Sequence, residues 1–299
     1  MSYSFPVPRT YLCGLIGSGI TRSLTPLLHE GEGRAQGVGL VYRILDLDER
    51  GGPDSLRRLV TSAVELGFDG LNITFPVKQS VIGMLDDLDD TAATLGAVNT
   101  VKITDGKLTG YNTDCTGFAR NLTAGLGGID PGSVTQIGAG GAGSAVAHAT
   151  LHSGAQRFTI IDADAARARS LRDSLRNRFP DRDIDADGLD GIAVALKESD
   201  GVINATPMGM AHHPGTAFDT ALLRDDMWVA DVVYRPVETE LLRTARAIGA
   251  RTVSGDGMTV GQALDAFEIF TGLTADADRV AAHMSALLAA EMTATLSTQ

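Results

Sequence analysis

Short runs of β-branched and aliphatic residues alternate along the chain with longer Ala- and Leu-rich runs of helical periodicity. The short runs predict strands and the longer runs predict helices. Their regular alternation is typical of an α/β protein with mostly parallel sheets. A glycine- and proline-rich stretch at residues 127–132 interrupts the pattern, which then starts again. We therefore expect two α/β domains.

The predicted elements of the first half begin with a strand at 11–17 and a helix opening at Thr25-Pro26, with Thr25 as its N-cap. The remaining elements of this half are strands at 40–47 and 70–74, a hairpin of 98–104 and 108–111, and helices at 53–66 and 114–126. The second half has predicted strands at 134–137, 158–161, 201–205 and 228–233, and predicted helices at 141–153, 163–178, 239–248, 257–271 and 275–295.

The second half has the order of a doubly wound, Rossmann-type domain. We place this domain at residues 116–255. The substrate domain is expected at residues 1–115, joined by the C-terminal helices within 256–299. An active site is expected in the cleft between the two domains, with closure of the cleft when a cofactor binds.

The composition of the chain indicates which kinds of molecule the protein binds. The 299 residues carry a net charge of −12, no basic run and only 5% aromatic residues, which argues against nucleic acid. No apolar run approaches the length of about 20 residues that crosses a bilayer. The first residues, Met1–Pro6, lack the pattern of an export signal, and Cys13 and Cys115 fit neither a disulfide framework nor a metal site. These features predict a cytoplasmic protein that binds a small molecule, with a homodimer as one option for its assembly.

A glycine-rich turn marks a dinucleotide site. Residues 138–143 read Gly138-Ala139-Gly140-Gly141-Ala142-Gly143 and lie between a predicted strand and a predicted helix. Glycine allows the tight turn and lets backbone N–H groups approach a pyrophosphate at the helix N-terminus. A flexible turn would be the alternative for an isolated glycine run, but the position between strand and helix favours nucleotide binding.

Asp162 ends the next predicted strand, nineteen residues after Gly143. A carboxylate there can accept hydrogen bonds from the ribose hydroxyls and would repel a 2′-phosphate. The alternative is that Asp162 caps the helix predicted from Ala163. Arg167 could meet a phosphate or flank the adenine. The position of Asp162 favours NAD over NADP.

Polar groups follow the apolar strands of the first half. Ser23 and Thr25 follow the first strand, Thr74 and Lys78 follow the strand at 70–74, and Asn99 and Asp114 flank the hairpin. Ligands of open α/β sheets bind beyond the carboxyl ends of strands, so these groups could converge on one crevice. Taken singly, Ser23, Thr25 and Asp114 could be helix caps and Lys78 a surface charge.

The order of these motifs resembles the shikimate dehydrogenase family over nearly the whole chain. The matching segments are Ser23-Leu24-Thr25-Pro26, Asn72-Ile73-Thr74-Phe75-Pro76-Val77-Lys78, Gly96-Ala97-Val98-Asn99-Thr100, Asn112-Thr113-Asp114, the glycine turn, Asn204-Ala205-Thr206-Pro207-Met208-Gly209-Met210 and the late Gln262. Segments 209–219 and 231–242 look closest to the NAD-dependent quinate/shikimate dehydrogenase branch.

The resemblance implies oxidation of a ring hydroxyl of shikimate or quinate, with Lys78 and Asp114 as the catalytic pair. Lys78 would accept the hydroxyl proton, and Asp114 would orient Lys78 and hold the hydroxyl. The implied substrate contacts are Ser23, Thr25 and Tyr234 for the carboxylate and Thr74, Asn99 and Gln262 for the ring hydroxyls. The implied cofactor contacts beyond the glycine turn, Asp162 and Arg167 are Thr206, Pro207, Ala217, Val232, Gly255 and Met258.

Two departures from the shikimate-specific, NADP-using pattern bear on specificity. Thr25 takes the place of the second serine in the usual Ser-x-Ser motif, and a threonine at this position resembles quinate-accepting members. Asp162-Ala163-Asp164 stands where NADP-using members carry Asn-Arg-Thr. The alternatives are a dehydrogenase of an amino analogue of shikimate or quinate, and an NAD-binding regulator without catalysis. A folate-linked dehydrogenase would need stacking aromatics that are scarce here.

Overall fold

The computed structural model describes residues 9–296, so the segment Met1–Pro6, in which we predict no export signal, lies outside it. The chain divides into two compact units. Unit 1 consists of the described residues up to Thr113 together with the chain from Gln262 onward, and unit 2 is Asp114–Gly261. Within residues 9–296, no helix is both long and apolar enough to cross a membrane.

Unit 1 is built around a mixed sheet of six strands in the order β2-β1-β3-β5-β6-β4. Its strands are β1 (Thr10–Gly17), β2 (Gly39–Asp46), β3 (Gly70–Ile73), β4 (Asp87–Leu88), β5 (Thr100–Thr104) and β6 (Lys107–Tyr111). Its first helices are α1 (Thr25–Ala35), α2 (Leu56–Glu65) and α3 (Asp90–Leu95). Strands β1, β2 and β3 are parallel, whereas β5 runs antiparallel to both β3 and β6.

Helix α4 (Thr113–Leu126) begins at the last residue of the first segment of unit 1. The elements that follow are β7 (Ser133–Ile137), α5 (Gly141–His152), β8 (Arg157–Ile161), α6 (Ala165–Arg178), β9 (Asp183–Asp187), α7 (Ile192–Lys197), β10 (Gly201–Asn204), β11 (Trp228–Asp231), α8 (Glu240–Ala247), β12 (Arg251–Val253), α9 (Gly255–Thr271) and α10 (Ala277–Leu296). The sheet of unit 2 has the order β12-β11-β10-β7-β8-β9, and all its pairs are parallel. This is the doubly wound order of a Rossmann domain, so the predicted fold class is confirmed.

Both faces of the unit 1 sheet are covered. One face packs on α2 through a core that includes Leu59, Val60 and Leu71, and the other face packs on Phe267 and Phe270 of α9. Gly70 of β3 has no room for a Cβ because the ring of Phe270 lies against it. The chain that returns after unit 2 therefore completes the core of unit 1 by burying apolar surface.

An ion pair between a buried carboxylate and a half-exposed guanidinium joins the C-terminal helix to α1. The Glu32 side chain is 2% exposed and accepts two hydrogen bonds of 2.7 Å from the Arg279 guanidinium. The backbone N–H of Asp276 and the amide of Gln36 also donate to Glu32. Burial alone would raise the pKa of Glu32, but these hydrogen bonds lower it to about 2.

Most helix starts differ by one to three residues from the predictions, and three of them bear on the candidate site. Thr25 is the first residue of α1 and Leu24 is its N-cap, so the prediction that Thr25 caps the helix is wrong. Helix α6 begins at Ala165 rather than Ala163, because the Asp164 side chain accepts the N–H groups of Ala166 and Arg167 and so acts as the cap. Helix α4 begins one residue earlier than predicted.

Candidate active site

The polar residues predicted in unit 1 lie at one edge of its sheet. Strands β1 and β3 end at this edge, β5 begins there, and β6 ends there, since Asn72 pairs with Thr100 and Thr100 with Tyr111. The segments that carry Ser23, Thr74 and Asn99 therefore leave or enter the sheet side by side. The topology of unit 1 brings these segments to the same edge of its sheet, and their convergence on one crevice stays a prediction.

Ser23 and Thr25 form a hydroxyl pair at the N-terminus of α1. The Ser23 hydroxyl donates to Thr25 Oγ1 at 3.0 Å, and the Thr25 backbone N–H donates to Ser23 Oγ at 3.3 Å. Both residues are half-buried. The N-terminal end of a helix carries a partial positive charge, and the hydroxyls beside it suit a carboxylate. Thr25 can donate to a carboxylate directly, and Ser23 can donate to it in place of its hydrogen bond to Thr25.

Asp46, at the end of β2, fixes the loop that leads to this hydroxyl pair. Its carboxylate is 2% exposed and accepts from the backbone N–H groups of Gly19 and Ile20 at 3.2 and 2.8 Å. Nothing in the motif order identified Asp46. An acidic residue that ends a buried strand was the available signal, but its partners lie 26 and 27 positions earlier in the chain.

Thr74 and Lys78 follow β3 in a loop tied to the neighbouring strands. The Thr74 N–H donates to Ile16 O at 2.9 Å, and Gly17 has no room for a Cβ because the Thr74 methyl group lies there. The carbonyl of Lys78 accepts from Val98 N at 2.9 Å. Both side chains are half-buried, so each reaches the edge of unit 1 without being enclosed in its core.

Asn99 is 5% exposed and forms the centre of a buried hydrogen-bond network. Its amide donates to Thr113 Oγ1 at 3.0 Å, and its carbonyl accepts from the Thr113 N–H at 2.7 Å. Asn99 thereby holds the first residue of α4. Asp114 is the next residue, is 5% exposed, and belongs to unit 2 by the contacts it makes.

Three residues to which the sequence analysis assigns no role extend this network. Tyr42 donates to Asn72 Oδ1 at 2.6 Å, and Asn72 donates to Thr100 Oγ1 at 3.0 Å. Thr100 in turn donates to Asn99 Oδ1 at 3.1 Å. The polar Asn72 within an otherwise apolar strand was the signal in the sequence, because an amide that is partly buried needs hydrogen-bond partners.

The remaining predicted substrate contacts are placed as follows. Gln262 is a half-buried residue of α9 and the first residue of the returning part of unit 1. Tyr234 is half-buried in the loop after β11 of unit 2, with the Arg235 guanidinium carbon 5.5 Å from its ring centre. Lys78 and Asp114 belong to different units, and their pairing stays a prediction.

The glycine turn has the geometry that a pyrophosphate needs. Gly138 has a φ of +105°, and a Cβ there would come within 2.7 Å of Ala205 O. Gly143 packs against the carbonyl of Gly138, and Gln136, which is fully buried, donates 2.8 Å hydrogen bonds to the carbonyls of both glycines. The buried Gln136 side chain therefore holds the backbone of the turn in place.

Gly140 and Gly141 have open space where a Cβ would stand. Gly140 is the N-cap residue of α5, Gly141 is its first residue, and Gly141 and Ala142 are exposed. Protein packing does not require glycine at 140 and 141, and the space above them at a helix N-terminus fits the close approach of a phosphate group.

Asp162 is held at the end of β8 by four donors. Oδ2 accepts from Ala139 N at 2.7 Å and Arg167 Nε at 3.3 Å, and Oδ1 accepts from Asp164 N at 2.8 Å and Arg167 Nη2 at 2.7 Å. Burial alone would raise the pKa of Asp162, but these hydrogen bonds lower it. The alternative that Asp162 caps α6 is wrong, because Asp164 does so.

The other predicted cofactor residues of unit 2 follow β10 and β11 or begin α9. Thr206 is half-buried and Pro207 exposed, after β10. Val232 and Gly255 are neighbours, since a Cβ on Gly255 would come within 2.5 Å of Val232 O. Met258 is buried in α9, and Ala217 packs against the core of unit 2.

Comparison with known proteins gives concordant results for both halves of the chain. Residues 15–101 match the family model of the shikimate dehydrogenase substrate binding domain. Residues 134–213 match the saccharopine dehydrogenase NADP binding domain, a dinucleotide-binding family.

Relatives at high identity extend over nearly the full length. The chain is 50% identical to a shikimate dehydrogenase (NADP(+)) of Arthrobacter sp., covering 94% of this chain and 97% of that one. It is 48% identical to a quinate/shikimate dehydrogenase (NAD(+)) of Corynebacterium efficiens, covering 92% and 98%. The solved structure of quinate dehydrogenase from Corynebacterium glutamicum in complex with NAD has a TM-score of 0.89 at 46% identity and covers 93% of this chain and 99% of that one. These likenesses, together with the placement of the motifs, show that the chain belongs to the shikimate dehydrogenase family.

Proposed function

We propose that the protein catalyses the reversible, NAD-dependent oxidation of the 3-hydroxyl of shikimate, quinate or both to the 3-dehydro compound. The observation that carries this proposal is the hydroxyl pair of Ser23 and Thr25 at the N-terminus of α1. It offers a site for a small carboxylate in the same unit as Thr74, Lys78 and Asn99. Relatives named for shikimate and quinate support the same substrate class.

The substrate is bound by groups with neutral donors and acceptors. Ser23 and Thr25 hold the carboxylate, with Tyr234 as a further contact on that side. Thr74 and Gln262 hold ring hydroxyls. Asn99 contributes the amide hydrogen that it does not give to Thr113, because its carbonyl already accepts from Thr113 and Thr100.

Proton transfer is the task of Lys78 and Asp114. Lys78 takes the proton of the reacting hydroxyl, and Asp114 accepts a hydrogen bond from the Lys78 side chain and so orients it toward that hydroxyl. Bound nicotinamide supplies the hydride acceptor. The network around Asn99 fixes Thr113 and so limits the positions open to Asp114.

The cofactor is held by the glycine turn at 138–143 and by Asp162. In NAD the two adenosine ribose hydroxyls would donate to Asp162, in exchange for hydrogen bonds that Arg167 now makes to it. A 2′-phosphate would meet the Asp162 carboxylate instead, and this repulsion favours NAD over NADP. Arg167 offsets part of it, which makes Asp162 the residue to test.

The test is the initial rate of reduced-cofactor formation with shikimate or quinate, each with NAD or NADP. We expect turnover with NAD and little turnover with NADP. Turnover with NADP alone would contradict the assignment of Asp162. NAD binding without turnover of either substrate would favour the amino-analogue dehydrogenase or the regulator.

The variant that isolates the cofactor assignment is Asp162→Asn, which removes the charge and keeps the shape. We expect kcat/KM for NAD to fall by about tenfold to a hundredfold, because hydrogen bonds to a charged group contribute a free energy of that size. Asp164→Asn keeps the helix cap and is the matched control, with kcat/KM for NAD unchanged. Equal losses in both variants would contradict a ribose role for Asp162.

A further inference from the structure

A buried carboxylate joins the two loops of unit 2 that follow β10 and β11. We call residues 205–210 the β10 loop and residues 232–238 the β11 loop. Asp231, the last residue of β11, pairs with Asn204, the last residue of β10, and both are 1% exposed. The pair lies at the carboxyl edge of the sheet, where open α/β sheets bind ligands.

The two oxygens of Asp231 contact three different segments. Oδ1 accepts from Asn204 Nδ2 at 2.9 Å and from Val233 N at 3.0 Å. Oδ2 accepts from Thr239 Oγ1 at 2.7 Å. Thr239 is 1% exposed and is the N-cap of α8. One side chain thus fixes the end of β10, the start of the β11 loop and the start of α8.

Asn204, which Asp231 holds, in turn forms hydrogen bonds with the β10 loop. Its amide donates to Met208 O at 2.9 Å, and its carbonyl accepts from Thr206 N at 3.1 Å and from Thr206 Oγ1 at 2.6 Å. These partners fix which end of the side chain is the amide, since Met208 O can only accept and Thr206 N can only donate. The second amide hydrogen therefore requires an acceptor, and Asp231 supplies it.

Stability alone is a poor explanation for this arrangement. The three donors to Asp231 are neutral groups, and a buried carboxylate without a cation costs more than a neutral side chain of the same size. Burial raises the pKa of Asp231 to about 6, although the hydrogen bonds from Thr239, Val233 and Asn204 lower it. The side chain is the kind of feature that a fold retains for the placement of a site.

We propose that Asp231 is a positioning residue of the cofactor site, which holds the β10 and β11 loops in the arrangement that binds the nicotinamide half of NAD. This inference rests on the proposed function, which assigns Thr206, Pro207 and Val232 to the cofactor. The backbone of Val232 is held from both sides, since its N–H donates to Asn204 O at 3.0 Å and Gly255 lies against its carbonyl. Asp231 acts through these residues without touching the cofactor itself.

The experiment measures dissociation constants by calorimetry for NAD and for ADP, which carries only the adenosine half and the diphosphate. We expect Asp231→Ala to raise the Kd for NAD about tenfold or more, the effect of losing at least one buried hydrogen bond. The Kd for ADP should stay within about twofold, because Gln136 and Asp162 hold the glycine turn through hydrogen bonds that do not involve Asp231.

Two further variants separate positioning from general stability. Asp231→Asn keeps the carbonyl acceptor for Asn204 and Val233 but no longer accepts from Thr239, so its loss of NAD affinity should be smaller. If Asp231→Ala does not fold, the dissociation constants of Asp231→Asn for NAD and ADP are compared with those of the wild type instead. Thr135→Val removes a different buried hydrogen bond of unit 2, the 2.7 Å contact with Ser199 in the middle of the sheet. It should lower the melting temperature and leave both dissociation constants unchanged.

The outcomes are distinguishable. Unchanged NAD affinity in folded Asp231→Ala and Asp231→Asn, equal losses for NAD and ADP, or the same NAD loss in Thr135→Val would each overturn the positioning role. A wild-type protein that binds ADP but not NAD would instead overturn the proposed function, and the inference with it.

Discussion

At the residue scale, the candidate site is supported by buried polar side chains, some with partners far along the chain and others with partners a few residues away. Asp46 holds the loop before α1, and Gln136 holds the glycine turn. The motif order singles out Ser23, Thr74, Asn99 and the glycines, whose roles stay predictions. It could not predict the supporting residues, because their role depends on contacts that exist only after the sheets have formed.

Thr25 gives a prediction about substrate choice. Thr25→Ser removes one methyl group from the carboxylate pocket and keeps the hydroxyl that accepts from Ser23. We expect the ratio of kcat/KM for shikimate to that for quinate to rise by about tenfold, the usual effect of one methyl group on selectivity. Steady-state rates with each substrate measure this ratio.

Thr21→Ser is the matched control, because Thr21 is exposed in the same loop. It should leave the ratio unchanged. An unchanged ratio in Thr25→Ser as well would show that Thr25 does not select between the two substrates.

His29 gives a prediction about pH. Its ring is buried against Tyr42, neither ring nitrogen has a hydrogen-bond partner among the described residues, and burial lowers the pKa of His29 to about 3. An unfolded histidine has a pKa near 6.5, so below that value the unfolded state binds more protons than the folded state. Stability is therefore lost as the pH falls from about 6.5 towards 3, by about 3 kcal/mol between pH 6.5 and pH 4.

Denaturant unfolding at several pH values tests this effect. We expect His29→Phe, which keeps an aromatic ring against Tyr42, to have a shallower loss of stability below pH 6.5 than the wild type. His212→Gln changes an exposed histidine and should leave the slope unchanged. A slope that is the same in His29→Phe and the wild type would contradict the assignment.

At the scale of elements, hydrophobic periodicity predicted the long helices and the buried strands to within a few residues. Strand β9 (Asp183–Asp187) alternates acidic and apolar residues, which is typical of an edge strand, but it was missed because Ile184 is the one large apolar residue in it. Strand β12 (Arg251–Val253) was missed because three residues carry too little pattern. Short edge elements gain their structure from the neighbouring strand rather than from their own sequence.

The returning helix α9 gives a prediction at this scale. Phe270 is fully buried against Gly70 of β3, so Phe270→Ala should remove about 3 kcal/mol or more of stability through lost burial and the cavity it leaves. Denaturant unfolding measures the loss. Leu66→Ala, at a side chain that is 71% exposed in the same unit, should change stability little. Similar stabilities for Phe270→Ala and the wild type would contradict the view that α9 completes the core of unit 1.

At the scale of the whole molecule, the chain leaves unit 1 at Thr113, forms unit 2 and returns at Gln262. The sequence indicates a separate domain at residues 116–255, because the strand–helix pattern restarts after residue 126 and the late Gln262 belongs with the motifs of the first half; these bounds stay a prediction. The proposed chemistry divides in the same way. Unit 1 supplies Lys78 and the carboxylate site, and unit 2 supplies Asp114 and the cofactor turn.

The central claim is that Lys78 takes the proton of the substrate hydroxyl, and its most direct test is the rate of NADH formation from shikimate and quinate at saturating NAD. We predict that Lys78→Ala lowers kcat by about a hundredfold to ten-thousandfold, the usual contribution of general base catalysis, with NAD affinity unchanged. Lys107→Ala, at an exposed lysine of the β5–β6 hairpin, should keep the wild-type rate. A Lys78→Ala enzyme that forms NADH at the rate of the Lys107→Ala enzyme would contradict the account.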